Sequence, residues 1–188
     1  MKGAASVGGD ERIRVFIGLR LPETTLDRLV HWQEAVFPPS EAYRVLPRGS
    51  LHITLAFLGH RPRSEVEAIA GALRASASLV EAPSLTPVRY RETRSVGMLV
   101  LADEGGRAAR LADDLHRRLQ ELGVYEPEKR PWLPHLTILR FRRGRPRLSP
   151  APPDLGAFSP SEAAVYHSVL RRGGAQYAVL ESAALGGD

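Results

Sequence analysis

Apolar positions along the chain switch between a period of two and a period near 3.6, and the order of the switches predicts the architecture. Arg12–Leu19 places Ile13, Val15 and Ile17 at every second position, the pattern of a strand. Pro22 stands where a first helical turn accepts proline, and Leu26, Leu29 and Val30 then form a helical face up to a stop at Pro38-Pro39. Residues 51–58 read as a second strand, ended by Gly59. Ser64 and Glu67 have the spacing of a capping box, ahead of a helix with Val66, Ile69, Ala70 and Leu73 along one side. Residues 84–91 are a further strand candidate.

The order then recurs. Residues 96–102 predict a strand. Residues 105–122 predict a helix with Leu111, Leu115, Leu119 and Leu122 on one face and Gly123 as its stop, and residues 133–139 predict another strand. Strand, helix, gap, strand thus occurs twice, without long runs of shared identity. A link rich in proline and arginine spans residues 142–153. Strands at 162–170 and 176–183 follow, joined by a hairpin turn at Arg171-Arg172-Gly173-Gly174.

Composition narrows this picture. A length of 188 residues suits one domain, or two small lobes sharing an interface. Residues 1–11, small and polar, read as a flexible N-terminal tail without the apolar core of a signal peptide, which leaves 12–188 as a single bilobal domain. There is no cysteine, which excludes a disulfide framework and a thiolate metal site and fits a cytoplasmic protein. No run approaches the roughly 18 apolar residues of a membrane span, so no membrane partner is expected. A net charge of +5, carried mostly by arginine, suits an anionic partner, nucleic acid included, but does not choose one. Nothing in the pattern points to an oligomer, and a monomer is expected.

The candidate chemistry lies in a duplicated tetrad. The second strand of each repeat carries it, as His52-Ile53-Thr54-Leu55 and as His135-Leu136-Thr137-Ile138. Side chains alternate along a strand, so His and Thr share one face while the aliphatic partners pack behind. If the repeats pair about a pseudo-two-fold axis, two imidazoles and two hydroxyls converge on one cleft. One such tetrad is common by chance; two on equivalent strands are not. Opening a cyclic phosphodiester needs a base to take a proton from water and an acid to protonate the leaving ribose oxygen, on opposite sides of phosphorus. Histidine suits both roles, with an ordinary pKa of about 6.5. Threonine hydroxyls can donate to the non-bridging oxygens. A metal site is the rival reading, but no carboxylate lies near either tetrad in sequence, and two histidines with two threonines make a poor zinc site.

Together these motifs resemble the 2H phosphoesterase superfamily and, within it, the bacterial and archaeal RNA 2',3'-cyclic phosphodiesterases, also called 2'-5' RNA ligases. The runs that carry the likeness are Arg14-Val15-Phe16-Ile17-Gly18-Leu19, Leu51-His52-Ile53-Thr54-Leu55-Ala56-Phe57-Leu58-Gly59, and the stretch from Arg130-Pro131-Trp132 through His135 to Arg140. The resemblance implies an α+β bilobal fold, two antiparallel sheets with flanking helices around a central cleft. It implies hydrolysis without metal or cofactor of a 2',3'-cyclic phosphate at an RNA end to a 2'-phosphomonoester. His52 is then the proton donor, His135 the proton acceptor, and Thr54 and Thr137 the phosphate donors. Phe57 would stack on the terminal base and Arg140 would hold the phosphate. Strict strand parity sets both opposite the histidines, so a twist, a bulge or a strand end has to bring them round.

Several residues stay open. Trp132 is either a stacking platform for a base or part of the core or a lid. Arg130 and the cluster Arg140, Arg142, Arg143, Arg145 and Arg147 either meet RNA phosphates or form a solvated surface. His31, His60, His116 and His167 have no partner motif, and His116 is expected to face solvent from a charged helix. The same site run backwards would join a cyclic end to a 5'-hydroxyl without ATP, and no phosphate-cradling Gly-Lys-Ser/Thr loop is present. A small cyclic nucleotide as substrate, or a binding module for RNA or nucleotides that has lost catalysis, are the remaining alternatives.

Overall fold

The structure, a computed structural model, describes residues 10–142, 147–172 and 174–186. The elements in chain order are β1 (Arg12–Leu19), α1 (Glu23–Val36), β2 (Tyr43–Val45), β3 (Ile53–Pro62), α2 (Val66–Ala77), β4 (Ser84–Glu92), β5 (Val96–Glu104), α3 (Arg107–Glu121), β6 (His135–Phe141), β7 (Glu162–Arg171) and β8 (Gly174–Ala184). Short 3-10 turns at Arg48–Ser50 and Arg63–Glu65 precede β3 and α2.

All pairing is antiparallel, in the order β4-β5-β6-β3-β1-β7-β8, with β2 beside the far end of β6. The two halves of this curled sheet are joined in the ladder at one residue pair, Ile53↔Leu136, on the motif strands. The repeats seen in sequence are β1-α1-β3 and β5-α3-β6. The strand that follows each crosses over: β4 adds to β5, and β7 adds to β1. The pseudo-two-fold is therefore built with exchanged edges.

Alternation explains the layering. Val15 and Ile17 of β1, Leu99 and Leu101 of β5, and Leu136 of β6 point to one side, where they join Leu29 of α1, Ile69 and Leu73 of α2, and Leu111, Leu115 and Leu119 of α3 in one core. The opposite face of both lobes is left for the site.

Some sequence expectations change. Pro22 is the residue before α1 rather than within it. The capping box does not form: Ser64 bonds to the Asp10 carboxylate and Glu67 pairs with Arg74 at 2.6 Å. Asp10 and Glu11, read as tail, belong to the folded body, since the Glu11 carbonyl accepts from the Arg63 N–H at 2.8 Å. The rest of that tail, Arg143, Arg145 and Gly173 lie outside the described residues. Strand β2 has no counterpart in the sequence reading. Gly59 does not end β3, which runs to Pro62.

Candidate active site

The joint at Ile53↔Leu136 follows each motif histidine by one residue. Continuing that antiparallel register sets His52 opposite Thr137 and Thr54 opposite His135. The four side chains thus meet on the face away from the helices. Each imidazole is held from behind by a carbonyl two residues upstream: His52 Nδ1 lies 2.9 Å from Ser50 O, and His135 Nδ1 lies 2.8 Å from Leu133 O. A carbonyl only accepts, so Nδ1 carries the hydrogen in both rings and Nε2 is the nitrogen left open.

Both motif strands break their alternation at the same place. In β3, Gly18 pairs with Thr54 but Ile17 pairs with Ala56, leaving Leu55 as an extra residue. In β6, Met98 pairs with Thr137 but Gly97 pairs with Leu139, leaving Ile138 as the extra residue. Each is a β-bulge three positions after a motif histidine, and each shifts the following residues by one. Phe57, opposite Phe16, therefore returns to the Thr54 face, and Arg140, opposite Val96, returns to the Thr137 face. A second bulge in β3, at Leu58, is followed by Gly59 with φ of 70°, a conformation open to glycine at little cost.

A helix of the other repeat caps each of these bulges. His116 of α3 donates from Nε2 to the Leu55 carbonyl at 2.7 Å and stacks on Tyr125, with centroids 4.6 Å apart. Gln33 of α1, buried, donates to the Ile138 carbonyl and to the Leu46 carbonyl, both at 3.2 Å. His116 is thus a half-buried strut and not the solvated residue expected from its charged helix. Trp132 donates from Nε1 to the Thr54 carbonyl at 3.0 Å and is half-buried against the core. Arg130 is exposed on the loop ahead of β6.

Lobe one surrounds His52 with aromatic rings that the sequence reading did not single out. Phe16 lies 4.7 Å from the His52 ring, Tyr177 5.3 Å and Tyr166 6.0 Å, centroid to centroid. Gly18 makes room, because a Cβ there would sit 3.2 Å from the His52 ring and 3.0 Å from the Ile53 carbonyl. Phe57 is half-exposed, with the Arg14 guanidinium 4.9 Å from its centroid. Lobe two is basic: Arg44 of β2 stands directly opposite Arg140, and its guanidinium reaches Gly174 in the other lobe. A separate cavity of about 470 Å³ opens between α1 and β2, lined by Gln33, Tyr43, Arg44, Arg48 and Arg142 among others; none of the motif residues lines it.

Burial in this aromatic wall lowers the His52 pKa to about 4; the Ser50 carbonyl opposes that shift, and the charges of His135 and Arg140 add to it. The unfolded chain takes up a proton near 6.5, the folded protein only near 4. Stability contributed by neutral His52 is therefore full above about pH 6.5 and lost as pH falls through 4. A variant with phenylalanine at this position, His52→Phe, is expected to lose less stability than wild type between those limits, by up to about 3 kcal/mol. Chemical denaturation across that range measures the difference, and parallel curves would mean the imidazole is not shielded.

Two histidines and two threonines on the motif strands of pseudo-symmetric α+β lobes are the layout of the 2H phosphoesterases. Among the described residues, no group of three or more His, Asp or Glu side chains is placed to hold a metal ion. The chain belongs to the 2'-5' RNA ligase superfamily, whose model matches residues 21–175. It is 31% identical over 186 residues to an RNA 2',3'-cyclic phosphodiesterase of Thermus thermophilus, covering 94% of this chain and 92% of that one. It is 28% identical over 177 residues to the Escherichia coli protein of the same name, covering 92% and 96%. A crystal structure of a Thermus thermophilus protein superposes with a TM-score of 0.80 at 29% identity, covering 94% of this chain and all of that one. Escherichia coli LigT in complex with 3'-AMP gives 0.76 at 28% identity, covering 93% and 99%. No helix among the described residues is long and apolar enough to cross a membrane.

Proposed function

We propose that the protein hydrolyses 2',3'-cyclic phosphate ends of RNA to 2'-phosphomonoesters, with His52 and His135 as its acid–base pair and no metal. The observation that supports this reading is the joint at Ile53↔Leu136, whose register aligns both motif histidines and both threonines on one face, each imidazole held by a carbonyl at Nδ1. His135 takes the proton of the attacking water, and His52 protonates the leaving 3' oxygen. Thr54, Thr137 and Arg140 hold the non-bridging oxygens, where a hydrogen-bonded charge gains most in the transition state. Phe57 offers its open ring face to the terminal base, Arg130 is exposed on the loop ahead of β6 to meet an RNA phosphate, and Trp132 holds Thr54 in place.

Neutral His52 bears on the division of roles. A donor must hold a second proton, which the free protein withholds from His52 until pH falls to about 4. The entering phosphate anion offsets the charges of Arg140 and His135 and draws that proton in. The same neutrality favours a second reading in which His52 is the base and His135 the donor.

Incubation in EDTA with a short RNA ending in a 2',3'-cyclic phosphate is expected to yield the 2'-phosphate at an undiminished rate. Activity lost on chelation and restored by a divalent ion would overturn the metal-free chemistry, and a 3'-phosphate product would overturn the leaving-group assignment.

A further inference from the structure

We infer that Arg89 and Arg91, on the outer edge of the second lobe, form a phosphate-binding track for the body of the RNA beyond its cyclic end. This rests on the function proposed above and adds a length preference to it.

The ladder places these residues. His135 pairs with Val100, and Val100 pairs with Arg89; Thr137 pairs with Met98, and Met98 pairs with Arg91. Directly opposed residues share a face of a sheet, so both guanidiniums stand on the same face as the motif side chains. They lie two strand spacings from them, roughly 10 Å. Tyr90, between them in sequence, turns the other way and packs on the core. A bulge at Val88 precedes the pair, so their facing is set by the register from Arg89 onward.

Their surroundings are those of cations awaiting an external anion. Both are exposed, and neither has a carboxylate partner among the described residues. Several arginines elsewhere are ion-paired, among them Arg48 to Glu23 and Asp27, Arg74 to Glu67, Arg107 to Glu81 and Arg118 to Asp114. The strand between carries Met98 and Val100 on this face, apolar and buried, and Glu92 accepts the Leu148 N–H at 2.9 Å. With Arg140 in the same face, positive charge stands both beside the motif and at the edge of the sheet. A cyclic mononucleotide fills the centre and has no further phosphate to offer. A polynucleotide does, and each phosphate neutralised releases counterions.

The test is the double variant Arg89→Gln/Arg91→Gln, two exposed changes that leave the core untouched. On a nucleoside 2',3'-cyclic monophosphate its kcat and KM are expected to match wild type. On an oligoribonucleotide with the same terminal cyclic nucleotide, KM is expected to rise about tenfold, and the slope of log(kcat/KM) against log salt to become shallower by about 1.4. Unchanged KM and salt slope on the oligonucleotide would overturn the track, as would equal losses on both substrates. Binding of a 2'-phosphorylated oligoribonucleotide, followed by fluorescence anisotropy, reads the same arginines without turnover. Tenfold weaker binding by the variant supports the track, and equal affinity overturns it. A wild-type protein that bound this RNA but opened neither cyclic substrate would refute the proposed activity, leaving the anisotropy comparison to decide the track.

Discussion

His52→Ala and His135→Ala are each expected to lower kcat by about 10²–10⁴-fold, the usual worth of one acid–base group. The double variant should be little worse than the poorer single, because two groups that pass protons in one transition state fail as a unit. Both rings are fixed through Nδ1 by carbonyls and present only Nε2 to the cleft, so no other nitrogen of either side chain can substitute. Near-wild-type turnover by either single variant would sink the two-histidine mechanism. The two roles separate with a substrate whose bridging 3' oxygen is replaced by sulfur. A thiolate leaves without being protonated, so the variant lacking the donor recovers most of its rate and the variant lacking the base does not. Recovery of His52→Ala supports His52 as donor; recovery of His135→Ala supports the reverse.

The second large effect belongs to Arg140. Arg140→Met is expected to cost about 10²–10³-fold in kcat/KM, the loss typical of one preorganised donor to a developing charge. It is also expected to move the pH profile. The Arg140 charge is one cause of the lowered His52 pKa, so its removal lets His52 hold a proton to higher pH, and the limb of the bell that belongs to His52 shifts upward. Arg140→Lys keeps the charge and loses the two-pronged fork. It should therefore restore the position of the limb and recover only part of the rate. An Arg140→Met enzyme with an unshifted bell and a full rate would place this guanidinium outside the reaction. The macroscopic limbs belong to the coupled histidine pair, so the comparison between variants carries the inference.

Much of this site is legible in the chain. The two tetrads mark themselves by repetition, and their strands, like β1, β5, β7 and the three helices, announce themselves through local apolar period. Even the bulges leave a trace that the reading by strict parity passed over. Leu55-Ala56 and Ile138-Leu139 are consecutive buried apolar pairs at the same place in each motif, where perfect alternation would expose one member. Strand β2 left no such trace, since three residues are too few to show a period, and Arg44 went unnoticed with it. Phe16, Tyr166 and Tyr177 come from three strands, and only their register beside β3 makes them a wall around His52.

Local sequence thus determined which segments are strands and helices, which face of each motif strand carries imidazole and hydroxyl, and which residues the proposed proton transfer uses. These follow from backbone periodicity, a property of neighbours in the chain. The tertiary structure decided the exchange of β4 and β7 between lobes, the return of Phe57 and Arg140 to the face of the motif histidines, and the neutrality of His52. Each of these depends on partners far away in sequence. A bulge persists because His116 or Gln33, from the opposite repeat, satisfies a carbonyl at the break in the ladder. A pKa moves because rings from separate strands exclude water from one imidazole. Such energies exist only once the chain has closed on itself.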